Sequence, residues 1–167
     1  MVLFLVAASG VVWLCELAQA GKVSDRTANF YKAQTEKYQD KEIRLDVTHL
    51  RPLTPAVRVE GVQFFNAYTY DTRENVPGGW ITVAAGVDEV PALLKRYGQA
   101  PEHGPRPLVS GRVETKDLRG KLVSPAAGVL LVDLVGDVKE KISEQVARAL
   151  EREARGAQGM TGGFRQR

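Results

Sequence analysis

From Glu42 to His49 the side chains alternate between polar and apolar without a break. Ile43, Leu45 and Val47 fall on one side, with His49 continuing their parity, and Glu42, Arg44, Asp46 and Thr48 fall on the other. A period of two residues is the signature of a strand with one buried face, and such a strand must find neighbours for both of its hydrogen-bonding edges. Three further runs, rich in β-branched and aromatic residues, and a fourth that is largely apolar follow at short intervals. They are Val57 to Thr72, with Gly61 as a candidate bend or bulge, Trp80 to Val83, Leu108 to Lys116, and Val129 to Val135, closed by Gly136. Pro52 and Pro55 separate the first two, and Glu74 to Gly79 is dense enough in turn formers to predict a hairpin, Gly78-Gly79 included. The stretch Gln99 to Pro107, rich in proline, predicts a loop containing His103.

Two segments carry helical periodicity instead. Between the third and fourth runs, Asp88 is placed to cap a short helix, Pro91 suits its first turn, and Gly98 suits its end. Val90, Leu93, Leu94 and Tyr97 form its apolar face. Near the C-terminus, Asp137 and Glu140 have the spacing of a capping box, and Val138, Ile142, Val146 and Leu150 form an apolar stripe on a helix predicted to run over 137–155. The Gly-rich, polar tail 156–167 reads as disordered.

Ahead of the β-rich region, Val2 to Cys15 is an almost unbroken apolar run leading into Ala18-Gln19-Ala20, and residues 1–20 hold a single charged side chain, Glu16. Run length and small residues at the cut predict a secretory signal peptide cleaved after Ala20. A membrane anchor is the alternative. The run is shorter than the roughly 20 apolar residues a spanning helix needs, and if it did span, Lys22 and Arg26 would favour a cytoplasmic C-terminal side. Residues 21–41 are polar, with Phe30, Tyr31 and Tyr38 interspersed, and read as a linker with some helical tendency. Cys15 is the only cysteine, so the β-rich region 42–136 has neither an internal disulfide nor a thiolate metal ligand.

The order of three strands, a short helix and two strands, together with the entry Tyr38 to Lys41 into the Ile43/Leu45/Val47 strand, resembles an oligonucleotide/oligosaccharide-binding (OB) fold, a five-stranded Greek-key barrel. The resemblance covers 38–135 and rests on element order. It implies a mainly β fold in which Leu93, Leu94 and Tyr97 plug one end of the barrel. An open α+β sheet with helices on one face is the competing architecture. The OB resemblance also implies ligand binding across strands two and three, which makes Tyr68, Tyr70, Arg73 and Trp80 the candidate ligand-binding residues. Their rings suit stacking beside a cation. Phe64, Tyr68 and Tyr70 share one parity, so the barrel interior is the other place for them.

Catalytic patterns are sparse. His49 and His103 make no metal spacing, and Gly78-Gly79 lacks the Lys-Ser/Thr of a phosphate loop. The net charge of +3 is mild and is not gathered into a Lys/Arg stripe. These features lead to an expected function as a non-enzymatic, envelope-associated OB-like binding or interaction module without cofactor or metal. Its partner would be an envelope protein or an extended polymer. Two other readings stay open: a single-stranded nucleic-acid-binding protein, and an enzyme with a carboxylate site near Asp71/Glu74.

Overall fold

The computed structural model describes residues 25–55, 58–98, 113–126 and 128–159. The apolar segment 1–20, His103 and its loop, the start of the expected strand Leu108–Lys116, and the tail from residue 160 lie outside the described residues. Five strands, β1 (Glu42–Leu53), β2 (Val62–Asp71), β3 (Val76–Gly86), β4 (Lys116–Val123) and β5 (Leu131–Asp133), close into a barrel in the order β1-β2-β3-β5-β4. All neighbours are antiparallel except β3 and β5, which run parallel, so the barrel is mixed. Closure excludes the open-sheet architecture.

β1 closes the barrel by changing partners along its length. Glu42 to Val47 pair with β4, Val47 to Leu53 pair with β2, and a bulge falls between Val47 and His49 at the changeover. One extra residue reverses which side chains face inward. Ile43, Leu45, Val47 and then Leu50 line the interior, while His49 is displaced to the exterior, against the parity expectation. Thr48 holds the bulge by donating its hydroxyl to the Tyr68 carbonyl at 3.0 Å.

Every strand departs from the sequence reading at a boundary. β1 runs past His49 and through Pro52, which pairs with Phe65, to Leu53, and β2 begins at Val62, after Gly61. β3 begins at Val76, so the turn shrinks and Gly78-Gly79 lie inside the strand. A Cβ on Gly78 would stand 2.6 Å from Thr27 Cγ2 and one on Gly79 2.2 Å from Asn29 Oδ1, so the glycines admit a helix against the strand. β4 starts at Lys116, where the expected strand ended. Its alternation is Leu118, Gly120 and Leu122 inward against Asp117, Arg119 and Lys121 outward, and the missing side chain at Gly120 hides it from a hydropathy reading. β5 has only three residues because the buried Asp133 carboxylate accepts N–H bonds from Val135, Gly136 and Val138 at 2.8, 2.9 and 3.1 Å, turning the chain away.

The stretch expected as a linker supplies two short helices, α1 (Ala28–Ala33) and α2 (Thr35–Tyr38). Thr27 caps α1 by accepting the Phe30 N–H at 3.3 Å, and Tyr31 is buried in the barrel core, with the Phe30 and Tyr38 rings against it. α1 seals the half of β1 that β2 does not reach. The Asp46 N–H donates to the Arg26 carbonyl at 2.9 Å, and the Tyr31 hydroxyl donates to the Arg44 carbonyl at 3.1 Å. α3 (Val90–Tyr97) follows a 3-10 turn, Val87–Glu89, and brings Val90, Leu93, Leu94 and Tyr97 against the same core, as expected of the plug. Gly98 ends it at φ +75°, and its carbonyl accepts the Leu50 N–H at 3.1 Å; Asp88 makes no cap.

The C-terminal segment forms α4 (Val138–Lys141) and α5 (Glu144–Gly159), separated by an extended Ile142. No side-chain capping box forms: Asp137 pairs with Lys141 at 2.8 Å, and Asp133 takes the Val138 N–H instead. α5 continues through Gly156 into the stretch expected to be disordered. The expected stripe of Val138, Ile142, Val146 and Leu150 is buried, but against the outside of the barrel, where it meets Leu53, Val62, Phe64, Ala84 and Leu131 in a second apolar cluster. β2 is therefore covered on both faces, with Phe65 inside and Phe64 outside. Asn66, fully buried, sends its amide 3.4 Å to the Ala154 carbonyl, and its Oδ1 has no hydrogen-bond partner among the described residues.

This packing separates two substitutions on the interface of α5. Leu150→Ala removes a fully buried side chain and should cost about 2–5 kcal/mol. Asn66→Leu exchanges an orphaned acceptor and one long amide bond for a side chain of the same branching but larger volume, and should cost less than Leu150→Ala. Chemical denaturation of both variants checks this, and a large loss from Asn66→Leu would mean that the amide is fully satisfied.

On the charged exterior of β1 and β4, Asp117 lies between two guanidiniums. Arg44 reaches it through two bonds of 3.1 Å and Arg119 through one of 3.0 Å. Hydrogen bonding from Arg44 first, and from Arg119, holds its carboxyl below the usual carboxylate range. A depressed folded pKa gives stability that is complete above the unfolded value of about 3.9 and is lost as pH falls through the folded value. Asp117→Asn should lower the melting temperature at neutral pH, with the gap from wild type closing toward acid. A gap constant across the pH series would show that the ionised carboxylate contributes nothing.

Candidate functional site

The bulge in β1 and the register of β2 and β3 place three rings in a row on the outside of the barrel. His49 pairs with Tyr68 across β1 and β2, and Tyr68 pairs with Trp80 across β2 and β3. The His49 and Tyr68 rings stack with centroids 4.6 Å apart and planes 14° from parallel. Thr48 gives its one hydroxyl hydrogen to the Tyr68 carbonyl, so its 3.0 Å contact with His49 Nδ1 makes that nitrogen the donor. The stack and this contact together hold the tilt of the imidazole.

Trp80 is half-buried, with part of its indole against the exterior apolar cluster. The ammonium of Lys32, from α1, lies 4.0 Å from its ring centroid. Although Lys32 is exposed as a residue, loss of water around its ammonium over the indole lowers its pKa from the ordinary lysine value, while attraction to the ring face favours the charged form. Lys32 reaches the indole because Gly78 and Gly79 let α1 lie directly on β3.

Of the four candidate residues, the fold makes Tyr68 and Trp80 direct partners. Tyr70 lies further along β2, past a second bulge, and its hydroxyl donates to Asn75 Oδ1 at 3.1 Å across the turn. Arg73 stands exposed in the turn beyond the end of β2. Phe64, which shares their parity, is neither platform nor barrel interior but lies beneath the C-terminal segment. Asp71 is buried, and its Oδ1 accepts the Arg73 and Glu74 N–H groups at 2.9 and 3.2 Å, which makes its carboxylate the staple of the turn. Among the described residues no group of three His, Cys, Asp or Glu is placed to hold a metal ion, and no helix is long and apolar enough to cross a membrane.

Sequence reasoning missed His49 and Lys32. His49 was masked by a bulge that no turn residue announces, although the break in alternation at Leu50 is its trace. Lys32 lies far from Trp80 along the chain, and only the glycine pair hinted that something packs on β3. No protein-family model, curated protein or solved structure matches this chain.

Proposed function

We infer that the chain is a non-enzymatic binding module of the OB-like class, taken to or across a membrane by residues 1–20, which grips an extended polymer of the cell envelope along the outside of β1, β2 and β3. The observation that carries this reading is the row His49, Tyr68 and Trp80, one ring from each of three adjacent strands, with Lys32 on the last. With the His49 and Tyr68 faces stacked on each other and one indole face under Lys32, the row presents ring edges and the remaining faces as an apolar strip across three strands, along which an extended chain can lie without a fixed hydrogen-bond pattern. The OB class is supported by strand order and by the helix between β3 and β4, and it supplies analogy rather than a ligand.

Single-stranded nucleic acid is the second reading, favoured by the same rings beside an ammonium. It calls for more clustered cation than a net charge of +3 suggests.

Titration of the full-length chain in mild detergent with glycan fragments and with a single-stranded oligonucleotide separates the two. Glycan binding is expected, and Tyr68→Ala should weaken it by about 1–3 kcal/mol with little change in melting temperature. Trp80→Ala should lower both binding and stability, since its indole also packs on the exterior cluster. Tight, salt-sensitive oligonucleotide binding would replace the polymer reading with the nucleic-acid one.

Cell fractionation with intact-mass measurement addresses localisation. The chain is expected in the envelope fraction, either shortened after Ala20 or retained in the membrane. Full-length chain in the soluble cytosolic fraction would remove the export reading.

A further inference from the structure

Lys32 is a cation without a counter-ion. Lys139 and Lys141 stand against Asp40 and Asp137 at 3.0 and 2.8 Å, but among the described residues no carboxylate meets the Lys32 ammonium. What holds it is the face of Trp80, 4.0 Å away at the ring centroid. A continuous helix would supply the missing partner, because Glu36 lies four residues on, the spacing at which an acid and a lysine meet on one helical face. The helix breaks instead. Gln34, at φ −125° and ψ 33°, separates α1 from α2, and Glu36 makes no ion pair with Lys32.

The charges around the indole do not make good the loss. The surface formed by residues 32–37 carries Lys32 and Lys37 against Glu36. β3 has no charged residue, and the turn before it carries one of each sign, Arg73 and Glu74, with the Asp71 carboxylate buried against the turn's own N–H groups. Loss of water is accordingly the whole cause of the lowered Lys32 pKa: among the described residues no charged group adds to it or offsets it. A partly dehydrated ammonium that faces only a ring gains from any anion that can reach it.

The place of this charge defines the anion. His49, Tyr68 and Trp80 stand one strand apart, so the strip spans about 10 Å and the ammonium lies at one end of it. Only one side of an ammonium can face the indole, and its other N–H groups point away from the ring. Such a compact point charge meets a single carboxylate without demanding a bidentate fit. One cation at the end of an apolar strip suits a chain of rings that carries a carboxylate, whereas a phosphate at every residue calls for several cations. We propose that the polymer on this strip is a carboxylated glycan: its sugar rings lie along His49 and Tyr68, and a uronate carboxylate takes the Lys32 ammonium beside the Trp80 indole. This rests on the ring row being a polymer-binding strip and names the chemistry of that polymer.

The probe is a short oligogalacturonate, titrated against the full-length chain in mild detergent beside its methyl ester, which has the same rings and no charge. The acid should bind at least about tenfold more tightly than the ester, by a margin that shrinks as salt rises. Lys32→Gln should bring the acid down to the level of the ester, and Lys32→Arg, which keeps a cation on the indole, should retain most of the margin. The comparison of acid with ester in the wild type does not depend on any variant folding. Equal binding of acid and ester would overturn the proposal and leave the polymer strip standing, whereas binding of neither would overturn both. The proposal would also fail if the margin survived Lys32→Gln. Polyglutamate or a single-stranded oligonucleotide bound as tightly as the uronate would sink it too, since charge would then be read without the sugar.

Discussion

Barrel closure depends on β1 serving two neighbours in succession, and the bulge between Val47 and His49 is where one neighbour gives way to the other. A strand bent this way can follow the wall of a small barrel, because an extra residue increases local twist. The same bulge decides what each half of β1 presents. Before it, apolar residues face in and a charged ladder faces out; after it, Leu50 faces in while His49 and Leu53 face out. The ring row and the outer apolar cluster both draw on that reversal.

The outer cluster explains why a five-stranded barrel here carries more than its own core. Phe64, Ala84 and Leu131 would be exposed apolar surface without the stripe of Val138, Ile142, Val146 and Leu150 over them. Asp133 links the two layers. Its carboxylate ends β5, directs the chain outward and caps α4, so one buried acid sets where the cover begins. Its cost is a β5 of only three residues.

The ring row is an apolar strip ordered by stacking, by Thr48 and by an ammonium on the indole, and suits a ligand recognised by shape. Tyr31 of α1 meets the Arg44 peptide groups and the Arg26 carbonyl, just before α1, accepts the Asp46 N–H, whereas α3 reaches the Asp117 carbonyl on β4.

Local patterning located four of the five strands, the helix that follows the third, and the apolar faces of both longer helices, because alternation, turn residues and helical spacing are properties of neighbouring residues. It also selected Tyr68 and Trp80, whose place on adjacent strands followed from the expected hairpin. What it could not hold was anything set by contact between distant segments. The bulge that turns His49 outward, the use of Gly78 and Gly79 to seat α1 and bring Lys32 to Trp80, and the burial of Tyr31 in what read as a linker all depend on a partner far along the chain. β4 was misplaced for a related reason: Gly120 interrupts its alternation, and only Leu134 and Val132 opposite it explain why a side chain is forbidden there. Register and close approach are decided when surfaces meet, so the tertiary structure had to supply them.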